Sequence, residues 1–126
     1  SGSAFLSIAD EDKDEIIPIA QELQELGFEL YATHGTAAFL KSKNITSTPI
    51  NKVYEGSPHC VNAIQNGHFT LVINTTSNEK AIKDSFSLRR ATLEKKLPYA
   101  TVIPAAKAMA RAIREIRKGP LEVYPL

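Results

Sequence analysis

The chain is poor in several things, and each shortage excludes a class of protein. It holds one cysteine, Cys60. A disulfide framework needs pairs of cysteines and a structural zinc site needs several, so neither is expected. The lone thiol fits a reducing compartment. No apolar run approaches the roughly 18 residues of a membrane-spanning helix, so no membrane association is expected. Net charge is nearly absent: 15 Lys and Arg stand against 14 Asp and Glu, a formal balance of +1. Bulk nucleic-acid binding draws on a basic excess, so nucleic acid is not an expected partner. A small anion site of two or three residues stays open. There is no Gly-x-x-x-x-Gly-Lys phosphate loop, no Gly-x-Gly-x-x-Gly fingerprint and no Gly-x-Ser-x-Gly elbow. No Met opens the chain, which begins Ser1-Gly2-Ser3. That start reads as a domain cut from a longer protein or a processed chain. A tag-cleaved full-length protein is the other reading.

What is present fits one globular domain. The 126 residues are 43% apolar and 23% charged, enough for a single core and too few for two. Short apolar runs alternate with amphipathic stretches. Strands are expected at 4–8, 28–32, 48–50, 70–73 and 99–103. Helices are expected after the Asp10-Glu11-Asp12 acids, which suit an N-cap and first turn, and at 37–43, 60–66, 79–96 and 105–118. Ile16, Ala20, Leu23 and Leu26 keep helical spacing, and Pro18 either delays or bends that helix. Ile82, Phe86 and Leu93 are expected on the inner face of the fourth helix. Met109, Ile113 and Ile116 are expected inside on the last, with Lys107, Arg111, Arg114 and Lys118 outside. Gly119-Pro120 is expected to end it, leaving 119–126 as a tail and Leu121–Tyr124 as a last strand or ordered end. Strands alternating with helices imply an α/β fold: one three-layer domain over 1–126, a mainly parallel five-stranded sheet with helices on both faces. Such sheets bind ligands beyond the carboxyl ends of their strands.

The loops at those ends hold the candidate chemistry. After the first strand, Lys13 follows three acids and is either an anion contact or a solvated cation. After the second, Thr33-His34-Gly35-Thr36 reads as a tight glycine turn into a helix. Its free N–H groups, two hydroxyls and partial positive charge suit a phosphate; a plain Thr-capped helix start is the alternative. His34 has no carboxylate close in sequence and no metal-ligand spacing to His59 or His68, so a structural or hydrogen-bonding role is expected and a metal is not. Lys52, after the third strand, can join Lys13 on a doubly charged phosphate, or be one more surface lysine. Asn74-Thr75-Thr76-Ser77, after the fourth, is a candidate base- or ribose-reading loop, or a polar turn. Arg89 and Arg90 point about 100° apart on a helix and form no single clamp; one is expected to pair with an acid. Glu55 is the only acid in the loops after strands two, three and four. A general base would have to come from Asp10, Glu11, Asp12, Glu55 or His34, so the cleft looks built for binding more than for proton transfer.

The strings Phe28-Glu29-Leu30-Tyr31-Ala32-Thr33-His34-Gly35-Thr36-Ala37, Asn51-Lys52-Val53-Tyr54-Glu55-Gly56-Ser57-Pro58-His59, Leu71-Val72-Ile73-Asn74-Thr75-Thr76-Ser77 and Leu88-Arg89-Arg90 resemble the allosteric domain at the carboxyl end of the carbamoyl-phosphate synthase large chain. The resemblance runs from about Ala4 to about Ile116. It implies the fold shared with methylglyoxal synthase and with a nucleotide-cyclising purine enzyme. It also implies a non-catalytic regulatory domain that binds UMP as inhibitor and IMP as activator. The parent it implies is a cytoplasmic, glutamine-hydrolysing ligase that uses ATP with Mg or Mn and K. That parent works with a glutaminase small chain and feeds pyrimidine and arginine synthesis. By resemblance, Lys13, Thr33, Gly35, Thr36 and Lys52 hold the phosphate, and Asn74, Thr76 and Ser85 lie near base and ribose. Thr101 matches a position that communicates with ornithine in the neighbouring domain. No cofactor is implied within this domain. The family pattern runs Gly-Arg-Arg after Ser77, whereas this chain has Asn78-Glu79-Lys80, so the effector's identity and sign are open. The alternative is a free-standing methylglyoxal synthase acting on dihydroxyacetone phosphate. That family uses loop aspartates, and Glu55-Gly56-Ser57-Pro58 and Asn74-Thr75-Thr76-Ser77 contain none.

Overall fold

The alternation of Ala4, Phe5 and Leu6 sorts the core into two halves. A computed structural model describes residues 2–52, 55–56, 59–75 and 79–122, without the side chains of 79–84 and 117–122. In the first strand, β1 (Gly2–Ser7), Ala4 and Leu6 point to one face and Phe5 to the other. The remaining strands are β2 (Phe28–Ala32), β3 (Thr48–Pro49), β4 (Leu71–Asn74) and β5 (Tyr99–Ala100). They pair in parallel in the order β3-β2-β1-β4-β5. The expected mainly parallel five-stranded sheet is therefore present.

Helices α1 (Lys13–Glu25), α2 (His34–Ser42) and α5 (Ile103–Glu122) cover the face of Ala4 and Leu6. Helices α3 (Cys60–Gln65) and α4 (Glu79–Glu94) cover the face of Phe5 and Val72, where Phe5 stacks on Phe69 with ring centroids 5.2 Å apart. This division follows from the topology. The chain moves outward from β1 to β3, then returns past β1 to β4. Right-handed crossovers in opposite directions put the helices on opposite faces. No helix among the described residues is long and apolar enough to cross a membrane.

Several local expectations need correction. Asp10-Glu11-Asp12 form a short 3₁₀ turn, and α1 begins only at Lys13, with no side-chain hydrogen bond from Asp12 at its cap. Pro18 lies inside α1 on its exposed side, where the missing N–H costs one hydrogen bond and buries nothing. Thr33–Thr36 is no separate turn: α2 starts at His34, directly after β2. Among the described side chains of α4, Leu88, Ala91 and Thr92 point inward, whereas Phe86 is 72% and Leu93 56% exposed. The Thr92 hydroxyl is satisfied inside by the Leu88 carbonyl at 2.7 Å. Ile82 and Lys118 carry side chains outside the described set. In α5, Ile103, Ala106 and Ala110 are buried, Met109 and Ile113 pack at the margin, and Ile116 is exposed. The backbone of α5 stays helical through Gly119 and Pro120 to Glu122. Proline's fixed φ is itself helical, so the pair weakens the helix without ending it. Residues 123–126 of the expected tail lie outside the described residues.

Candidate functional site

β1 and β4 are the neighbours at which the strand order reverses, the place where an open parallel sheet forms a crevice. Ser7 and Asn74 are register partners at the carboxyl ends of these two strands. A narrow cleft opens there. Its lining includes Ser7, Thr33, Lys52, Cys60, Asn74 and Ser85, with Phe5 and Leu88 as its apolar base. Four of the residues expected from sequence, Thr33, Lys52, Asn74 and Ser85, thus meet in one cleft.

Backbone-to-hydroxyl bonds hold its rim. Thr36 Oγ1 is buried and accepts from the Ile8 N–H and the Thr33 hydroxyl, each at 3.1 Å. Thr75 Oγ1 accepts from the Ala9 N–H at 2.8 Å. These bonds clamp the chain leaving β1 between the ends of β2 and β4. Thr75, one of the four residues of the candidate base- or ribose-reading loop, engages its hydroxyl in this backbone bond.

Lys13 reaches the first turn of α2. Its Nζ lies 3.6 Å from the position a side chain on Gly35 would occupy. Gly35 has no positive φ, so what it contributes is space: its bare Cα leaves the helix N-terminus open to the lysine. The Lys13 ammonium pairs with the Asp10 carboxylate. That hydrogen bond and charge, with a smaller contribution from the Lys52 charge, hold the Asp10 carboxyl below its ordinary range. The charges of Lys13 and Lys52 thus both act on the Asp10 carboxyl. The Asp10 partner is new.

The loop carrying Lys52 is tied to α2. Asn51 Nδ2 donates to the Gly56 carbonyl at 3.2 Å, which leaves Asn51 Oδ1 to accept from His34 Nε2 at 2.9 Å. The Lys52 N–H donates to Glu55 Oε1 at 2.7 Å. His34 is thus a hydrogen-bonding tether, and Glu55 is engaged by the backbone of its own loop. On the other rim, Asn74 Nδ2 donates to Ser85 Oγ at 2.9 Å and to Tyr99 Oη at 3.1 Å. The Arg89 guanidinium lies 5.7 Å from the Tyr99 ring centroid. Among the described residues neither Arg89 nor Arg90 forms an ion pair with a carboxylate, and the side chains of Glu79 and Asp84 lie outside the described set. Thr101 is exposed just past β5 and does not line the cleft. Thr76 lies outside the described residues, as does the side chain of Glu79.

The arrangement offers two ammonium groups, hydroxyls and a helix N-terminus to an anion, beside an amide and a hydroxyl suited to a polar ring or sugar. Among the described residues no group of three or more His, Cys, Asp and Glu is placed to hold a metal.

A family model described as "MGS-like domain" matches residues 15–101. The chain belongs to the MGS-like domain family. Among its curated relatives is a carbamoyl phosphate synthase large chain of Rhizobium meliloti (strain 1021), 51% identical over 125 residues, which cover 99% of this chain and 11% of the relative. Another is the "Carbamoyl phosphate synthase large chain, C-terminal section" of Methanopyrus kandleri, 46% identical over 123 residues, 97% of this chain and 23% of that protein. This MGS-like domain thus spans only a small part of the relatives it matches, and the expected likeness to the carbamoyl phosphate synthase large chain holds. The crystal structure of methylglyoxal synthase from Elizabethkingia anophelis NUHP1 superposes with a TM-score of 0.70 at 16% identity, covering 86% of this chain and 76% of that one. At that identity the likeness is one of fold, and it is the MGS-like α/β fold expected from sequence.

Proposed function

We propose that this MGS-like domain is the nucleotide-monophosphate-binding regulatory module of a carbamoyl phosphate synthase large chain. The single observation behind this reading is that Thr33, Lys52, Asn74 and Ser85 line one crevice, with Lys13 beside the first turn of α2 and acting with Lys52 on the Asp10 carboxyl. A phosphate suits the first group and a base with its ribose suits the second. UMP as inhibitor and IMP as activator are the effectors we assign, with Thr33, Gly35 and Thr36 on the phosphate and Thr76 on the base and ribose side. The parent would be a cytoplasmic, glutamine-hydrolysing ligase. It would work with a glutaminase small chain and use ATP with Mg or Mn and K on its other domains. Its product, carbamoyl phosphate, would supply pyrimidine and arginine synthesis. The domain itself would bind and transmit without catalysing. Thr101, exposed past β5, would face the neighbouring domain and its ornithine site. An effector shifts the parent only through different affinities for two arrangements of the domains.

Titration calorimetry tests the reading. UMP and IMP should compete for one site. Lys52→Ala should weaken both by about tenfold or more, the loss of a hydrogen bond to a charged group. No heat from either nucleotide on the folded domain would count against the proposal. Measurable turnover of dihydroxyacetone phosphate would replace it with methylglyoxal synthase activity.

A further inference from the structure

Lys13 is an unusual place to find a positive charge. Its side chain is only 16% exposed, and its Nζ lies beside the N-terminus of α2, itself the positive end of a helix dipole. Two positive ends brought together need an anion. Without a ligand the anion is Asp10, whose side chain is 92% exposed and reaches in from the 3₁₀ turn to bond Lys13. We propose that Asp10 is an internal counter-ion that competes with the effector's phosphate for Lys13 and so sets the affinity of the anion site. This inference rests on the phosphate reading of the cleft given above.

The two anions differ in ways that favour exchange. A phosphate dianion carries twice the charge of a carboxylate. It can also take the free N–H groups of α2 and reach Lys52. Asp10 can turn into water when displaced, because almost all of its side chain is already solvated. Lys13 and Lys52 are the charged groups that act on its carboxyl. Asp10 thereby keeps the empty site neutralised and raises the ligand concentration needed to fill it.

The test compares the wild-type domain with Asp10→Asn and with Asp14→Asn, which removes the same charge from an exposed position on α1. Titrants are inorganic phosphate and UMP. Asp10→Asn should bind both roughly threefold to fivefold tighter, the worth of one exposed ion pair removed from competition. Asp14→Asn should stay near wild type. In the wild-type domain, NMR of the Asp10 carboxyl should show its titration moving upward when phosphate is bound, because Lys13 is then engaged elsewhere. Unchanged or weaker binding by Asp10→Asn, with a wild type that binds, would overturn the inference and make Asp10 an orienting group for Lys13. Equal tightening in Asp14→Asn would also overturn it, leaving a net-charge effect. Binding of neither titrant by any of the three proteins would remove the phosphate reading and this inference with it.

Discussion

Buried hydroxyls keep the strand ends in place around the cleft, and Thr36 carries the largest share. It is 1% exposed, and its Oγ1 receives both the Ile8 N–H and the Thr33 hydroxyl. Valine at this position would match the shape and leave a buried N–H with no acceptor. Thr36→Val should therefore lose about 1–3 kcal/mol of stability, the cost of stranding a buried donor. Thr36→Ser keeps the oxygen and should lose clearly less in the same urea titration. Equal losses in both variants would show that the methyl group matters more than the hydroxyl. The same reasoning gives Thr75 a structural part, since its oxygen holds the Ala9 N–H directly before Asp10. Both threonines fix where the Asp10–Lys13 pair sits without touching either residue's charge.

Four of the described helices stop at a left-handed residue, and glycine signals it for two: α1 ends at Gly27, φ 91°, and α3 at Gly67. After α3, the Gly67 N–H bonds the Ile64 carbonyl at 3.0 Å and the His68 N–H bonds the Ala63 carbonyl at 2.9 Å, with Gly67 at φ 76°. This left-handed stop suits glycine, and it is legible from the letter alone. After α2, Asn44 takes the position at φ 63°; after α4, Lys96 does so at φ 56°, with bonds from Lys96 N to Leu93 O and Leu97 N to Thr92 O. A lysine gives no such signal. Its left-handed conformation costs about 1–2 kcal/mol, so Lys96→Gly should raise stability by about 0.5–1 kcal/mol after the added freedom of the unfolded chain is subtracted. A loss of stability in chemical denaturation would mean that the Lys96 side chain holds something the backbone does not. The same contrast separates what was legible elsewhere. β1, β2 and β4 were readable because buried parallel strands are short, mostly apolar runs, whereas β3 is two exposed residues and β5 stops at Ala100, short of the expected 99–103, because α5 begins at Ile103. The inner face of α4 was not readable, because Ala91 and Thr92 pack inward while Phe86 stays out. The Asp10–Lys13, His34–Asn51 and Asn74–Tyr99 contacts were not readable either. The last two join residues far apart in sequence, and the first looks in one dimension like an ordinary charged first turn.

At the scale of the whole molecule, a net charge of +1 leaves little long-range field, so electrostatic effects should be local. Two clusters supply them. One is Asp10, Lys13 and Lys52 at the cleft. The other is Arg114 of α5, whose Nε donates to Glu22 at 2.7 Å and whose Nη2 donates to Glu25 at 3.1 Å, joining the last helix to the first. The hydrogen bonds to Glu22 and Glu25 push the Arg114 pKa up, but the side chain is 37% exposed, so solvent screens the tie and it adds little stability. Salt should therefore act unequally on the empty and filled domain. A ligand at a hundred times its dissociation constant stabilises by about 2.7 kcal/mol. If phosphate contacts dominate, raising salt from about 0.05 M to about 0.5 M at fixed UMP should remove much of that stabilisation, as the Debye length falls well below 10 Å. The empty domain should change far less over the same range, since its described ion pairs, Asp10–Lys13 and Arg114 with Glu22 and Glu25, are screened by solvent and weak. Thermal melts with and without UMP at the two salt concentrations measure both quantities at once. A UMP-induced shift that survives high salt would place the binding energy in the base and its apolar surroundings, Phe5 and Leu88, and remove the anion site from the centre of the mechanism.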